Sequence, residues 1–171
     1  MKTFKKYINE NPMVDYNVSK DKPDSFNDSP KIYNKRENIG VIGKHKVKRL
    51  SLDGFRKSYT LHDSKDNISF KAAGNQNGNK FVVSNLEGTD KAPIKAHEFY
   101  HHLIHQQGLH LHSDALQSPG GKKVWERLHK MPGIQMQSLN VETGKYSDIH
   151  PNESLDKYYG TYNTRLAAKK I

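Results

Sequence analysis

Residues 94–131 constrain the fold most: two amphipathic helical segments flank a short alternating stretch, with almost no linking loop. In IKAHEFYHHLIHQQ, Ala96, Phe99, Tyr100, Leu103 and Ile104 fall within an arc of about 140° at 3.6 residues per turn, so one face of a helix over 94–107 must be covered. Gly108 ends it, because glycine takes the left-handed C-terminal conformation at little cost. Leu109 and Leu111 then alternate with His110 and His112, the period of a strand. Ser118 at the N-cap and Pro119 at the first helical position open a second helix, and Val124, Trp125, Leu128 and Met131 form its buried stripe. Pro132-Gly133 closes it.

The flanking sequence supplies the rest of a sheet. Tyr59 and Leu61 in 58–62 and Ile68, Phe70 and Ala72 in 68–73 recur at the strand period of two, 80–86 reads as a third strand, and turn-forming stretches 64–67 and 75–79 separate them. Val47, Leu50 and Leu52 suggest an earlier strand, and 134–141 a later one before a turn at 142–145. The expected fold class is α+β: an antiparallel meander, then helix, strand, helix, strand in one mixed sheet. A right-handed parallel crossover should join 80–86 to 109–112. Residues 1–40 read as a flexible basic and polar segment, 41–150 as the α+β domain and 151–171 as a polar tail. Within the first segment, 2–8 suits a short helix with Phe4, Tyr7 and Ile8 on one side, whereas 9–40 has too little periodic apolar surface to fold alone. Residues 155–159 suit a single helical turn and 165–171 a basic tail.

A chain of 171 residues with 33% apolar residues and mean hydropathy −0.93 is one domain with a small core. No apolar run approaches the ~18 residues of a membrane span, and MKTFKKYINE lacks the apolar stretch of a signal peptide. A soluble cytoplasmic protein without a membrane partner is expected. With no cysteine, disulfides, thiolate metal sites and thiol nucleophiles are excluded. The net charge is +10, and residues 1–50 hold 12 Lys+Arg against 6 Asp+Glu. The densest run is Lys44-His45-Lys46-Val47-Lys48-Arg49. It reads either as a weak footprint for nucleic acid or another acidic partner, or as a solvated lysine-rich surface.

Two chemistries can be read from the first helix. His97-Glu98-Phe99-Tyr100-His101 is a literal H-E-x-x-H. Two histidines four apart can share a zinc ion while the intervening glutamate acts as general base. The third ligand would be Glu126 on the second helix, since Gln107 stands where a third histidine would follow. Seven histidines between His97 and His129 raise the rate of chance matches, and a histidine-rich polar helix edge explains the same pattern.

The other chemistry rests on a longer string. After 80–86 come Glu87-Gly88-Thr89-Asp90-Lys91-Ala92, then the helix, then LHLHSDALQSPGGKKVWERL. Phe99-Tyr100, Leu111, Ser113-Asp114, Gln117-Ser118, Gly120-Gly121, Val124-Trp125 and Leu128 make up a pattern that resembles uncharacterised GNAT-like proteins of bacteriophages, members of the N-acetyltransferase superfamily. The resemblance covers about residues 55–145. It implies a GNAT-like mixed sheet and an acyl-CoA donor, acetyl-CoA above all, that modifies an amine on a host macromolecule or a small molecule. It further implies that Gly88, Thr89, Lys91 and Ala92 cradle the CoA pyrophosphate, with Gln117 and Ser118 near the pantetheine or adenosine end. A histidine such as His110 or His112 would deprotonate the acceptor amine, a task that an ordinary pKa of ~6.5 suits. Trp125 stands where the family commonly has an acid tyrosine, a role an indole cannot fill. A degenerate scaffold that only binds, for instance to a host protein, fits the same resemblance.

Overall fold

The computed structural model describes residues 35–115 and 117–171, together with the backbone of Val18 and Ser19. The suggested helix over 2–8 and most of segment 9–40 lie outside the described residues. In chain order the elements are β1 (Val18–Ser19), β2 (Glu37–Ile42), β3 (His45–Ser51), β4 (Arg56–His62), β5 (Ile68–Asn77), β6 (Lys80–Thr89), α1 (Ala96–Gln107), β7 (His110–His112), α2 (Pro119–His129), β8 (Ile134–Asn140), β9 (Tyr146–Asp148), a 3-10 turn (Asp156–Tyr158) and β10 (Thr164–Lys170). They form an α+β fold around one mixed sheet, ordered β2-β3-β4-β5-β6-β7-β10-β8-β9, with β1 against β6.

Strands β2 to β6 are an antiparallel meander. β5 and β6 run ten residues each, longer than the alternation suggested, and meet in a tight turn at Gly78-Asn79. Gly78 carries a φ of +58° there, which favours glycine. The sequence placed the turn over 75–79 because Asn75, Gln76 and Asn77 are turn formers; in the sheet they pair with Val82, Phe81 and Lys80. β6 and β7 are parallel, joined through α1, as the crossover required.

The largest departure is at the C-terminal side. Residues 151–171 are not a tail: Thr164–Lys170 is the strand between β7 and β8, antiparallel to both. Leu166, Ala167 and Ala168 are wholly buried. The preceding stretch is anchored too, through buried Ile149 and Leu155 and through the Tyr159 hydroxyl, which donates to Lys122 O at 3.1 Å. At the other end, β2 begins at Glu37, so the ordered sheet reaches back into the segment 1–40.

α1 starts at Ala96 rather than 94, with Lys95 extended at its N-cap. α2 starts as expected, Ser118 Oγ accepting the Gly121 N–H at 3.0 Å. The two helices pack on each other and on the sheet in one apolar cluster. Phe99 stacks on Phe70 with centroids 5.9 Å apart, and Trp125 lies against Tyr100 at 5.8 Å, 2% exposed and thus core as its stripe implied. Among the described residues no helix is long and apolar enough to cross a membrane.

The basic run folds as the turn into β3 and β3 itself. Lys48 Nζ bonds both Asp66 carboxylate oxygens at 2.8 and 2.9 Å, and Arg49 bonds Glu37 at 2.7 Å. Lys44 and Lys46 remain exposed. Any duplex DNA binding through this run should therefore show a log K against log salt slope no steeper than about −2, at roughly 0.9 per phosphate contacted. A gel-shift titration at two salt concentrations checks this, with Lys44→Ser/Lys46→Ser abolishing whatever shift exists.

Candidate functional site

The site grows out of a place where the sheet's pairing breaks off. β6 and β7 pair only over Lys80–Val82 and His110–His112. Beyond His112 the chain stays with β10: the Ser113 N–H donates to Leu166 O at 2.8 Å, and Ser113 Oγ accepts the Leu166 N–H at 3.0 Å. β6 meanwhile continues to Thr89 along β5, and β1 pairs with its other edge at Gly88 and Thr89. Pairing of the two parallel strands thus stops beyond Val82 and His112, a crevice in the sheet's hydrogen bonding whose β6 side is taken by β1 at Gly88 and Thr89. Open sheets bind ligands at such crevices, where strand ends and helix starts converge.

The residues assigned to a pyrophosphate cradle have other engagements. Gly88 is buried in β6, and a Cβ there would come within 2.5 Å of the Phe70 ring, so aromatic packing explains this glycine. Thr89 O accepts the Ala92 N–H at 3.1 Å, closing a turn, and Lys91 is exposed. At the start of α1, Glu98 reaches back to accept the Lys95 N–H at 2.6 Å. That carboxylate sits where the positive end of the helix would otherwise meet a phosphate. On the opposite bank, Ser118 is spent on its cap and Gln117 Nε2 donates to Asp114 O at 3.0 Å.

The zinc arrangement is not assembled. Glu98, the would-be base, caps the helix, and His101 Nε2 lies 3.1 Å from Pro132 O. Glu126 lies on the side of Tyr159, whose phenol is held protonated first by burial and then by the charges of Glu126 and Asp156. Among the described residues no group of three His, Asp or Glu side chains converges on a metal position.

His110 and His112 do come together, at the root of the crevice on the face opposite the Leu111 core. Their centroids are 4.5 Å apart, and the Tyr146 ring from β9 packs on both, at 5.2 and 5.7 Å. The Tyr146 hydroxyl lies 3.3 Å from His112 Nε2. His112 is 1% exposed, and burial, with smaller contributions from His110 and Lys80, pushes its pKa down to about 3. It is neutral at pH 7 and a poor base. His110 is half-buried; burial also lowers it, then Lys169 and Lys80, while Gln137 pulls weakly the other way. Lys80, Lys169 and Tyr146 carry no sequence motif. Only the register places them, Lys80 directly beside His110 and Tyr146 opposite Leu139.

Comparison with protein-family models, with curated proteins and with solved structures finds no match for this chain.

Proposed function

We propose that this chain is a GNAT-like N-acyltransferase that takes its acyl-CoA donor in the crevice between β6 and β7. The observation that carries the reading is the parting of this parallel pair, with α1 following β6 and α2 following β7, the element order the resemblance implies. β1 takes this edge of β6 at Gly88 and Thr89, so the amide-bearing arm of CoA would pair along Val83–Glu87, where among the described residues no strand is paired to that edge. His110 is the base. The acceptor nitrogen attacks the thioester carbonyl; the C–N bond forms, the C–S bond breaks, His110 takes the amine proton and the thiolate takes one from solvent. His112, too weak a base for this, holds Tyr146 in place.

A second reading has its own support. Glu98 on the first helical turn, with Glu87 and Asp90 before it, opposes a pyrophosphate, which favours a degenerate scaffold that binds a partner such as a host protein without catalysis. Calorimetric titration with acetyl-CoA separates the two. The acyltransferase reading expects saturable heat, and Glu98→Gln should tighten binding about two- to fivefold by freeing the helix N-terminus. No heat at millimolar ligand in either protein removes the enzyme and leaves the scaffold.

A further inference from the structure

We infer that the sheet face around His110 is a binding site for the oxyanion group of a small molecule, a carboxylate or a phosphate. Three basic side chains stand side by side across three adjacent strands. Lys80 on β6 is in register with His110 on β7, and Lys169 on β10 follows Ala168, the partner of Leu111. All three are half-buried. Among the described residues, no carboxylate pairs with either lysine. On this face Asp148 of β9 is reached from His112 only across Ala167 and Gln137, and its Oδ1 accepts the Gln137 Nε2–H at 2.7 Å. Neighbouring cations repel, so a counter-charge between them is favourable.

The imidazoles point the same way. His110 Nε2 and His112 Nδ1 are both buried without a hydrogen-bond partner. Such atoms are rare in native structures and call for a ligand or water. Of the two tautomers of neutral His112, the one in which the Tyr146 phenol donates to Nε2 carries its proton on Nδ1, a buried donor with nothing to accept it. An oxyanion seated here would meet two ammonium groups and at least one N–H donor.

This inference stands independently of acyl transfer. Should that reading hold, the site lies at the root of the crevice and selects an acceptor amine that also carries a carboxylate or phosphate. The test follows the histidine C2–H resonances of the full-length chain during titration with sodium phosphate and, separately, sodium acetate, against sodium chloride at matched ionic strength. Saturable movement of the His110 and His112 signals with either anion is expected. Lys80→Gln and Lys169→Gln should each weaken it about fivefold or more, as loss of a charge-assisted contact does, while exposed Lys145→Gln leaves it unchanged. Binding should tighten as pH falls and His110 gains a proton. The other groups facing it are Lys80, Lys169, His112, Tyr146 and Gln137, and none of them acquires negative charge in that range. Preference between the two anions identifies the headgroup. Movement that never saturates, that chloride reproduces, or that survives both lysine substitutions overturns the site, whether or not acetyl-CoA binds.

Discussion

A chain ending at Gly160 is expected not to fold. It lacks β10, which supplies the antiparallel neighbour of β7 and a partner for each residue of β8 from Ile134 to Asn140. Without it β7, three residues long, keeps only a short parallel contact with β6, and the buried row Leu166, Ala167 and Ala168 is gone. Backbone groups of β7 and β8 would then lie unpaired beneath the helices, at about 1–3 kcal/mol for each buried group left unsatisfied. Several such groups exceed the 5–15 kcal/mol that a domain of this kind has in total. The truncated chain should be insoluble, or soluble with helical circular dichroism but no dispersed methyl resonances. A cooperative thermal transition close to that of the full chain would refute the central role of β10.

Acid should unfold the full chain earlier than its carboxylates alone would dictate. His112 titrates near 6.5 when unfolded and at about 3 when folded. Between these values the unfolded state binds more protons, so stability is complete above pH 6.5 and falls as pH drops toward 3. Over the whole window His112 accounts for on the order of 5 kcal/mol, of which about 2–3 kcal/mol is lost by pH 4.5. His62, wholly buried and lowered chiefly by burial, acts in the same direction. The carboxyls of Asp53 and Glu153 have folded pKa values of about 2, so they remain ionised at pH 4.5 and do not explain a loss above it. Urea denaturation at pH 7.5, 5.5 and 4.5 measures the slope. His112→Gln, which cannot titrate, should flatten it, and an equal slope in both proteins would count against the assignment.

What the sequence disclosed, and what it hid, follows from the kind of signal each element carries. α1 and α2 were legible because their buried faces keep the 3.6-residue period and their ends carry Gly108 and Ser118-Pro119. β10 was not. Its centre is Leu-Ala-Ala, buried on both faces by small side chains, and its flanks are Lys169 and Lys170, so neither alternation nor β-branched content marks it. At the site, alternation did place His110 and His112 on one face away from Leu111. Tyr146, Lys80 and Lys169 arrive there by register across β6, β10 and β9, which no local pattern encodes. Glu98 was read for its place in H-E-x-x-H, yet an acid in the first turn of a helix is foremost a partner for the free N–H groups there.

The position of β10 has a kinetic consequence. The meander from β2 to β6 and the β8–β9 hairpin each close locally, between strands adjacent in sequence. They become one sheet only through the short β7 and through a strand synthesised after both. Until β10 arrives, β8 offers an open edge and the two halves are held by helix packing and three residue pairs. Joining them is a non-local step of the kind that slows folding, and the half-sutured chain exposes strand edges of the kind that aggregate. Refolding should thus be limited by the capture of this last strand, and the nascent chain stays vulnerable until it emerges.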